Sequence, residues 1–171
     1  MRLFHVSHEM NIDQFIPRFP TREDVDKSEG LVWALNEFCL PNFLTPRDCP
    51  RVAYYANEKT TEEDILKFFS SSSRYCVAIE NDWYERMVES VLYLYEFDIS
   101  NFELQDEVAG YYVSRKTEIP ISVTRLDNLF GELFKRDVEV RILDNLWTIG
   151  NAVQKSTLNW SLCRMKNAKI K

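Results

Sequence analysis

Residues 110–123 read Gly-Tyr-Tyr-Val-Ser-Arg-Lys-Thr-Glu-Ile-Pro-Ile-Ser-Val, and this stretch decides the fold class. It holds two runs typical of strands, 110–115 and 119–123, separated by too few residues to form a helix. A fold with regular alternation of strands and helices would place a helix between two such runs. We therefore expect an α+β protein with a mixed or mainly antiparallel sheet.

The rest of the chain supplies further strands and short helices around this pair. Runs rich in β-branched and aromatic residues predict strands at 3–6, 30–35, 51–56, 75–80, 91–97 and 138–143. A capping box beginning at Thr60, followed by apolar residues at helical spacing, predicts a short helix to residue 69. Helical spacing also predicts helices at 82–89 and 126–135, and a longer C-terminal helix over 146–165.

Length and charge set the broad class of the protein. A chain of 171 residues is long enough to bury one core, and no linker or repeat divides it, so we expect a single domain over residues 1–171. No apolar run could span a bilayer and no signal peptide is apparent, which predicts a cytoplasmic protein. The net charge of −6 argues against general nucleic-acid binding, and nothing in the sequence indicates an oligomeric state.

The common motifs of metal and phosphate sites are missing from the sequence. The four cysteines are widely spaced, so we expect no metal site, and the four glycines are isolated, so no glycine-rich phosphate loop is present. The segment 11–29 has no predicted strand or helix. Because segments of this length are often functional, it is a candidate loop over a site.

Four side chains are the candidates for a functional site. His5 lies at the end of the first predicted strand and is the candidate catalytic residue; the alternative is a half-buried histidine bonded to the backbone. Arg47 could hold a phosphate or simply pair with Asp48. Trp33 and Tyr112 are candidate ligand-binding aromatics, with core packing as the alternative for each.

The chain also resembles an uncharacterised bacterial family of unknown function. The resemblance covers nearly the whole length and includes residues 2–7 (RLFHVS), 30–34 (GLVWA), 44–52 (LTPRDCPRV), 92–98 (LYLYEFD), 109–115 (AGYYVSR) and 156–158 (STL). His8 departs from the acidic residue expected in that family. The family brings no assigned activity.

A more distant resemblance concerns the order of the strands that carry His5, Trp33 and the Tyr-Tyr-Val run, which is similar to the ADP-ribosyltransferase-like fold. The resemblance implies that a first-strand histidine holds a ribose of NAD, that a second-strand aromatic faces the nicotinamide, and that a later glutamate completes the triad. His5 and Trp33 match the first two positions. The strand at Tyr111 and Tyr112 has no glutamate.

The missing glutamate leaves three alternatives. The transferase activity has been lost, or a carboxylate comes from Glu103, Glu107 or Glu118, or the chemistry is closer to that of the RNA 2′-phosphotransferases of the same fold. The first hypothesis is therefore a pocket of His5, Trp33, Arg47 and Tyr112 that binds an NAD-like or phosphorylated nucleotide. The second is a non-catalytic module that binds a protein or a small metabolite.

Overall fold

A computed structural model describes residues 1–19 and 28–170 of the chain. Within them the structure has ten strands, which are β1 (Leu3–Ser7), β2 (Val32–Asn36), β3 (Arg51–Tyr55), β4 (Tyr75–Glu80), β5 (Leu92–Phe97), β6 (Glu103–Asp106), β7 (Tyr111–Ser114), β8 (Ser122–Leu126), β9 (Val138–Leu143) and β10 (Asn159–Cys163). Four short helices are α1 (Glu62–Phe68), α2 (Tyr84–Glu89), α3 (Leu129–Phe134) and α4 (Trp147–Val153). None of the helices in these residues is long and apolar enough to span a membrane.

The strands form two sheets that lie in two compact units. The six-stranded unit comprises Met1–Leu40 and Leu92–Leu126, and the four-stranded unit comprises Pro41–Val91 and Asp127–Lys171. Among the described residues, seven of the eight strand pairings are antiparallel, the exception being β4 with β9. The predicted α+β class with a mixed, mainly antiparallel arrangement is confirmed, while a single domain over residues 1–171 stays a prediction.

The six-stranded unit places β1 near the middle of its sheet. The strand order is β6-β7-β2-β1-β5-β8, and all pairings in it are antiparallel. All four α-helices lie outside this unit within the described residues. A cluster of buried side chains covers one face of the sheet and consists of Leu3, Val32, Ala34, Tyr95, Phe97 and Phe102.

The four-stranded unit combines the order β10-β3-β4-β9 with the four helices. Strand β4 is buried at all six positions, as expected for a central strand. The hydrophobic core cluster of this unit packs Val52, Tyr54, Cys76 and Ala78 against Phe68 of α1 and Val153 of α4. The hydroxyl of buried Tyr54 donates a hydrogen bond to the Phe68 carbonyl, 3.1 Å away, so the ring is satisfied at its polar end.

Helix α1 was predicted from its capping signal, and its cap lies one residue later than expected. The N-cap is Thr61, whose hydroxyl accepts from the Asp64 amide at 3.2 Å. The Thr60 hydroxyl instead accepts from the Asn57 amide and closes the preceding turn. Threonine at either position offers the same oxygen, so the sequence alone does not distinguish the two caps.

The longer C-terminal helix predicted over 146–165 is wrong, because α4 ends at Val153 and the chain returns as β10. Two side-chain bonds stabilise the turn between them: the Ser156 hydroxyl donates to the Val153 carbonyl at 2.7 Å, and the Asp64 carboxylate accepts from the Thr157 amide at 2.7 Å. Apolar residues that fit a helical face, Leu158 and Leu162, reach the same core from a strand.

Glu139 on β9 holds the serine-rich turn between α1 and β4. Its carboxylate accepts hydrogen bonds from the amide and hydroxyl of Ser70, from the Ser71 hydroxyl and from Arg141. Burial on its own would raise the pKa of this carboxyl, but the hydrogen bonds outweigh burial and lower the pKa to about 2.

This network predicts an acid-dependent loss of stability. A group with a lowered folded-state pKa stabilises the fold above its unfolded-state pKa, and that stability is lost as pH falls toward the folded value. Replacing Glu139 by Gln should lower the free energy of unfolding by about 1–3 kcal/mol at pH 7. The difference from wild type should vanish between pH 4.5 and about 2. Urea unfolding measures it, with Glu63→Gln on the exposed side of α1 as control; equal effects of the two substitutions at pH 7 would contradict this role.

Candidate functional site

His5 lies in β1, between two paired strands, and its ring is bonded to the neighbouring strand. Nδ1 is 2.9 Å from the carbonyl oxygen of Trp33 in β2. A carbonyl only accepts, so Nδ1 must carry the proton, and in a neutral ring Nε2 is then an acceptor. Among the described residues, none bonds to Nε2.

The strand register shows which side chains share a face with His5. In an antiparallel sheet, directly paired residues project to the same side. His5 is paired with Tyr95 of β5, and Ala34 of β2 is paired with Tyr112 of β7. We define the His5 face as the side of this sheet that carries Leu3, His5, Val32, Ala34, Tyr93, Tyr95, Phe97 and Tyr112.

A segment after β1 crosses the His5 face, and we call residues 9–18 the strap. The Phe15 ring lies 4.8 Å from the His5 ring, 5.1 Å from Tyr95 and 5.0 Å from Phe97, measured between ring centroids. The Tyr95 hydroxyl donates to the Glu9 carbonyl and accepts from the Ile12 amide. The strap covers part of the loop predicted at 11–29; residues 20–27 lie outside the described part of the chain.

The strap is also held by backbone pairing at two points. Phe15 exchanges two backbone hydrogen bonds with Glu118, at 2.8 and 3.0 Å, and Arg18 exchanges two with Leu31, at 3.1 and 2.9 Å. These contacts fix the Phe15 ring over the half-buried His5.

This environment keeps His5 uncharged. Burial lowers the pKa of His5 below its usual value, the bond to the Trp33 carbonyl partly opposes the change, and the positive charge of Arg18 lowers the pKa further. A neutral imidazole with a fixed tautomer can accept one hydrogen bond from a ligand hydroxyl. His5 is therefore bonded to the backbone through Nδ1, as in the alternative interpretation, and Nε2 keeps a lone pair that can accept a hydrogen bond.

Trp33 faces the opposite side of the sheet from His5. It is paired with Val113, whereas its neighbour Ala34 lies on the His5 face. The half-buried indole packs edge-on against Tyr111 with 5.3 Å between ring centroids. His5 and Trp33 therefore do not line one pocket on this sheet, which corrects the pocket predicted from the sequence. Alternation along β2 is the cause.

Tyr112 does share the His5 face and lies two strands from His5, with the small Ala34 between them. Its ring packs on the cluster of this face, and its hydroxyl donates to the Met1 sulfur at 3.4 Å. Of the three glutamates considered from the sequence, Glu103 and Glu107 are exposed and Glu118 is buried. Glu118 accepts from the Ser114 hydroxyl, and its backbone pairs with Phe15.

Arg47 belongs to the four-stranded unit and its side chain is exposed. Within the described residues it forms no hydrogen bond or ion pair, so the alternative of an Arg47–Asp48 pair is not observed. The loop is instead ordered by Arg51, which is buried and donates to the Asn42 carbonyl, to Asn42 Oδ1 and to the Cys49 carbonyl. The Arg51 guanidinium also lies over the Phe43 ring.

Comparison with known proteins identifies the family to which the chain belongs. The model of a family of unknown function, DUF6886, matches residues 4–168. The chain belongs to this family. A search of curated proteins found no match, and neither did a search of solved structures. The DUF6886 match contains His5, Trp33, Arg47 and Tyr112, and it assigns none of them a role.

The four-stranded unit of this DUF6886 member has a groove of about 460 Å³ between α1 and α4. Polar side chains line it, including Lys67, Asn151 and Lys155, and none of the four residues predicted from the sequence takes part. The carboxylate of Asp64 at its edge is already bonded to the Thr157 amide and hydroxyl. The groove therefore offers little fixed chemistry beyond two lysines.

The described residues of the DUF6886 chain contain no metal-ligand cluster, and two of the four free cysteines are deeply buried with raised pKa values. No group of three His, Cys, Asp or Glu side chains there could hold a metal ion. Burial raises the pKa of Cys49 and of Cys76 to about 12, so both thiols stay protonated at neutral pH.

Sequence reasoning missed the contribution of the strap to the site. Phe15 and Arg18 were placed only in a long loop, because no spacing rule connects them to β1. Their positions depend on backbone bridges to Glu118 and Leu31, which are distant in sequence. The apolar residues of the segment, which include Ile12 and Phe15, were the one available signal.

The state of His5 predicts how stability depends on pH. A lowered pKa means that the unfolded chain binds a proton more readily than the folded chain, so stability falls as pH drops below 6.5. In His5→Asn, the amide can keep the bond to the Trp33 carbonyl but cannot titrate. The wild type should therefore lose unfolding free energy below pH 6.5, by at most about 1.4 kcal/mol per pH unit, relative to His5→Asn.

Urea unfolding at several pH values provides this measurement. His8→Asn is the matched control, since it removes the other histidine of the chain. A variant without His5 that keeps the full pH dependence of the wild type would show that His5 is not the titrating group.

The hydrogen bonds of Arg51 predict that Arg-to-Lys substitution costs more stability at Arg51 than at Arg47. Lysine cannot reproduce the three hydrogen bonds of a buried guanidinium, so Arg51→Lys should destabilise the protein by about 2–3 kcal/mol. Arg47→Lys makes the same chemical change at an exposed site and should stay within about 0.5 kcal/mol of wild type. Thermal or urea unfolding of both variants checks this, and similar losses in the two would refute the assignment.

Proposed function

We propose that the His5 face of the six-stranded unit binds a nucleotide-like small molecule, of the NAD-like or phosphorylated type implied by the ADP-ribosyltransferase-like resemblance. The observation that carries the proposal is the state of His5. Its Nδ1 is bonded to the Trp33 carbonyl, its ring is neutral, and Nε2 remains available as an acceptor beside the Phe15 ring.

The chemistry of the face suits such a ligand. A neutral imidazole nitrogen can accept a hydrogen bond from a ribose hydroxyl. Aromatic rings can stack on a base or a nicotinamide. Phe15, Tyr93 and Tyr112 are partly buried side chains of the strap and the His5 face, so each keeps surface for contact. In this proposal the strap, with Phe15, takes the aromatic role that the sequence had assigned to Trp33.

Binding is better supported than catalysis. No described carboxylate is bonded to the His5 ring, and the Glu118 carboxylate is occupied by the Ser114 hydroxyl and the Asn101 amide. Glu118 is nevertheless the buried member of the three glutamates, and its backbone holds Phe15. If the site is catalytic, Glu118 is therefore the candidate for the missing third position of the triad.

The second candidate is a non-catalytic module that recognises a protein or another small metabolite. The observation that favours it is the cluster of exposed apolar side chains after β7 and in β8, where Ile119 is 71%, Ile121 64% and Val123 52% exposed. Exposed apolar residues of this kind are common at protein interfaces. Protein recognition through this cluster would not require His5.

Calorimetric titration with NAD, ADP-ribose and AMP tests the proposal directly. We expect at least one of them to bind below millimolar concentration. His5→Asn should weaken the binding of that ligand by about 1–2 kcal/mol, because the variant lacks the Nε2 atom that accepts a hydrogen bond from the ligand hydroxyl. His8→Asn and Trp33→Phe should bind as wild type does, since Trp33 lies on the other face. No binding by any of the three ligands, or equal weakening in the His5 and Trp33 variants, would refute the proposal.

A further inference from the structure

The strap, residues 9–18, lies on the His5 face without fully burying any of its own residues. Ile12, Phe15 and Pro17 are half-buried, and the other seven residues of the segment are exposed. Strand β5, on which Phe15 packs, is buried at four of its six positions. Segments with few buried apolar contacts open at a lower free energy than the core to which they are attached. Burial therefore stabilises the strap less than the sheet on which it lies.

The backbone of the strap is joined to the rest of the unit at isolated points. Phe15 is bridged to Glu118 and Arg18 is bridged to Leu31, with two hydrogen bonds at each bridge. Strand β1, which precedes the strap, is paired with β5 at all five of its residues. The strap can therefore detach by breaking a few hydrogen bonds while the pairing of β1 with β5 stays intact.

The hydroxyl of Tyr95 holds the first half of the strap, and we call it the latch. It donates to the Glu9 carbonyl at 2.8 Å and accepts from the Ile12 amide at 3.1 Å. Tyr95 is a buried residue of β5 and is paired with His5, so the latch belongs to the sheet. When the strap opens, water can hydrate the two released backbone groups, which limits the free-energy cost of opening.

The Phe15 ring is the point at which the strap reaches the proposed site. Its centroid lies 4.8 Å from the centroid of the His5 ring, which is a contact distance for two rings. No base or nicotinamide fits between two rings in contact. A ligand ring can therefore stack on the side of Phe15 that faces His5 only after the strap has moved away.

We propose that the strap is a lid of the His5 face. It opens as a unit while β1 and β5 stay paired, admits the nucleotide-like ligand, and closes on that ligand through Phe15. This inference rests on the proposed function and adds to it the step by which the ligand enters. The latch and the two backbone bridges are the contacts that set how often the lid opens.

Amide hydrogen exchange measured by NMR tests whether the lid opens separately. Five amides donate the hydrogen bonds that hold the strap, those of Ile12, Phe15, Arg18, Leu31 and Glu118. We expect these five to share one free energy of opening, lower than that of the amides in β1 and β5. This free energy should depend only weakly on urea, because local opening exposes little surface.

Two tyrosine variants test the latch. Tyr95→Phe removes the hydroxyl that binds the strap and should speed exchange of the strap amides about tenfold. Tyr93→Phe is the matched control, because Tyr93 lies on the same strand and the same face and its hydroxyl bonds to no described residue. It should leave exchange of the strap amides unchanged, and equal acceleration by the two substitutions would overturn the role of the latch.

A variant on the opposite face separates local opening from global unfolding. Val113 is buried and is paired with Trp33, so Val113→Ala destabilises the unit without touching the strap. It should speed exchange of the amides in β1 and β5 and leave the strap amides unchanged. Strap amides as slow as those of β5, and accelerated equally by Val113→Ala, would overturn the lid and leave the proposed function standing.

Ligand binding tests whether the lid closes on the proposed site. Whichever of NAD, ADP-ribose and AMP binds in the calorimetric titration should slow exchange of the strap amides as it saturates the protein. Binding that leaves their exchange unchanged would overturn the lid and leave the proposed function standing. Absence of binding by all three ligands would overturn the proposed function, and the role of the strap as a lid with it.

Discussion

Alternation of side chains along the strands of the six-stranded sheet determines which residues the candidate site contains. Successive side chains of a strand project to opposite faces, and the pairing of β1 with β2 and β5 transmits that choice across the sheet. His5, Tyr95 and Tyr112 thus share one face, and Trp33 takes the other. A shift of one residue in β2 would exchange Ala34 and Trp33, and would bury an indole where the small alanine now lies.

The bond from His5 to the Trp33 carbonyl connects this register to chemistry. It satisfies a backbone acceptor in the middle of the sheet, selects the Nδ1 tautomer and orients the ring against Phe15. The strap in turn depends on the Tyr95 hydroxyl and on backbone bridges to Glu118 and Leu31. The candidate site is therefore assembled from four separate stretches of chain, which the sheet brings together.

Local patterns predicted the elements well, and distant contacts limited the rest. The capping signal and apolar spacing of α1, and the β-branched runs of β4 and β5, lie within a few residues and were sufficient. Strands β6 and β10 were not predicted, β10 because Leu158 and Leu162 fit a helical face as well as a strand. The face of Trp33 and the position of Phe15 depend on pairing across the sheet, which spacing along one strand does not specify.

The proposed ligand site requires that His5 is a neutral imidazole protonated at Nδ1, so that Nε2 can accept a hydrogen bond from the ligand. Nitrogen-15 NMR of the imidazole side chains identifies the tautomer, because protonated and unprotonated ring nitrogens have well-separated chemical shifts. With two histidines, assignment requires only the spectrum of His8→Asn. We expect a protonated Nδ1 and an unprotonated Nε2 for His5 at pH 7, and we expect the Nε2 signal to move when a nucleotide that binds is added. An Nε2-protonated or fully charged His5 ring would contradict it.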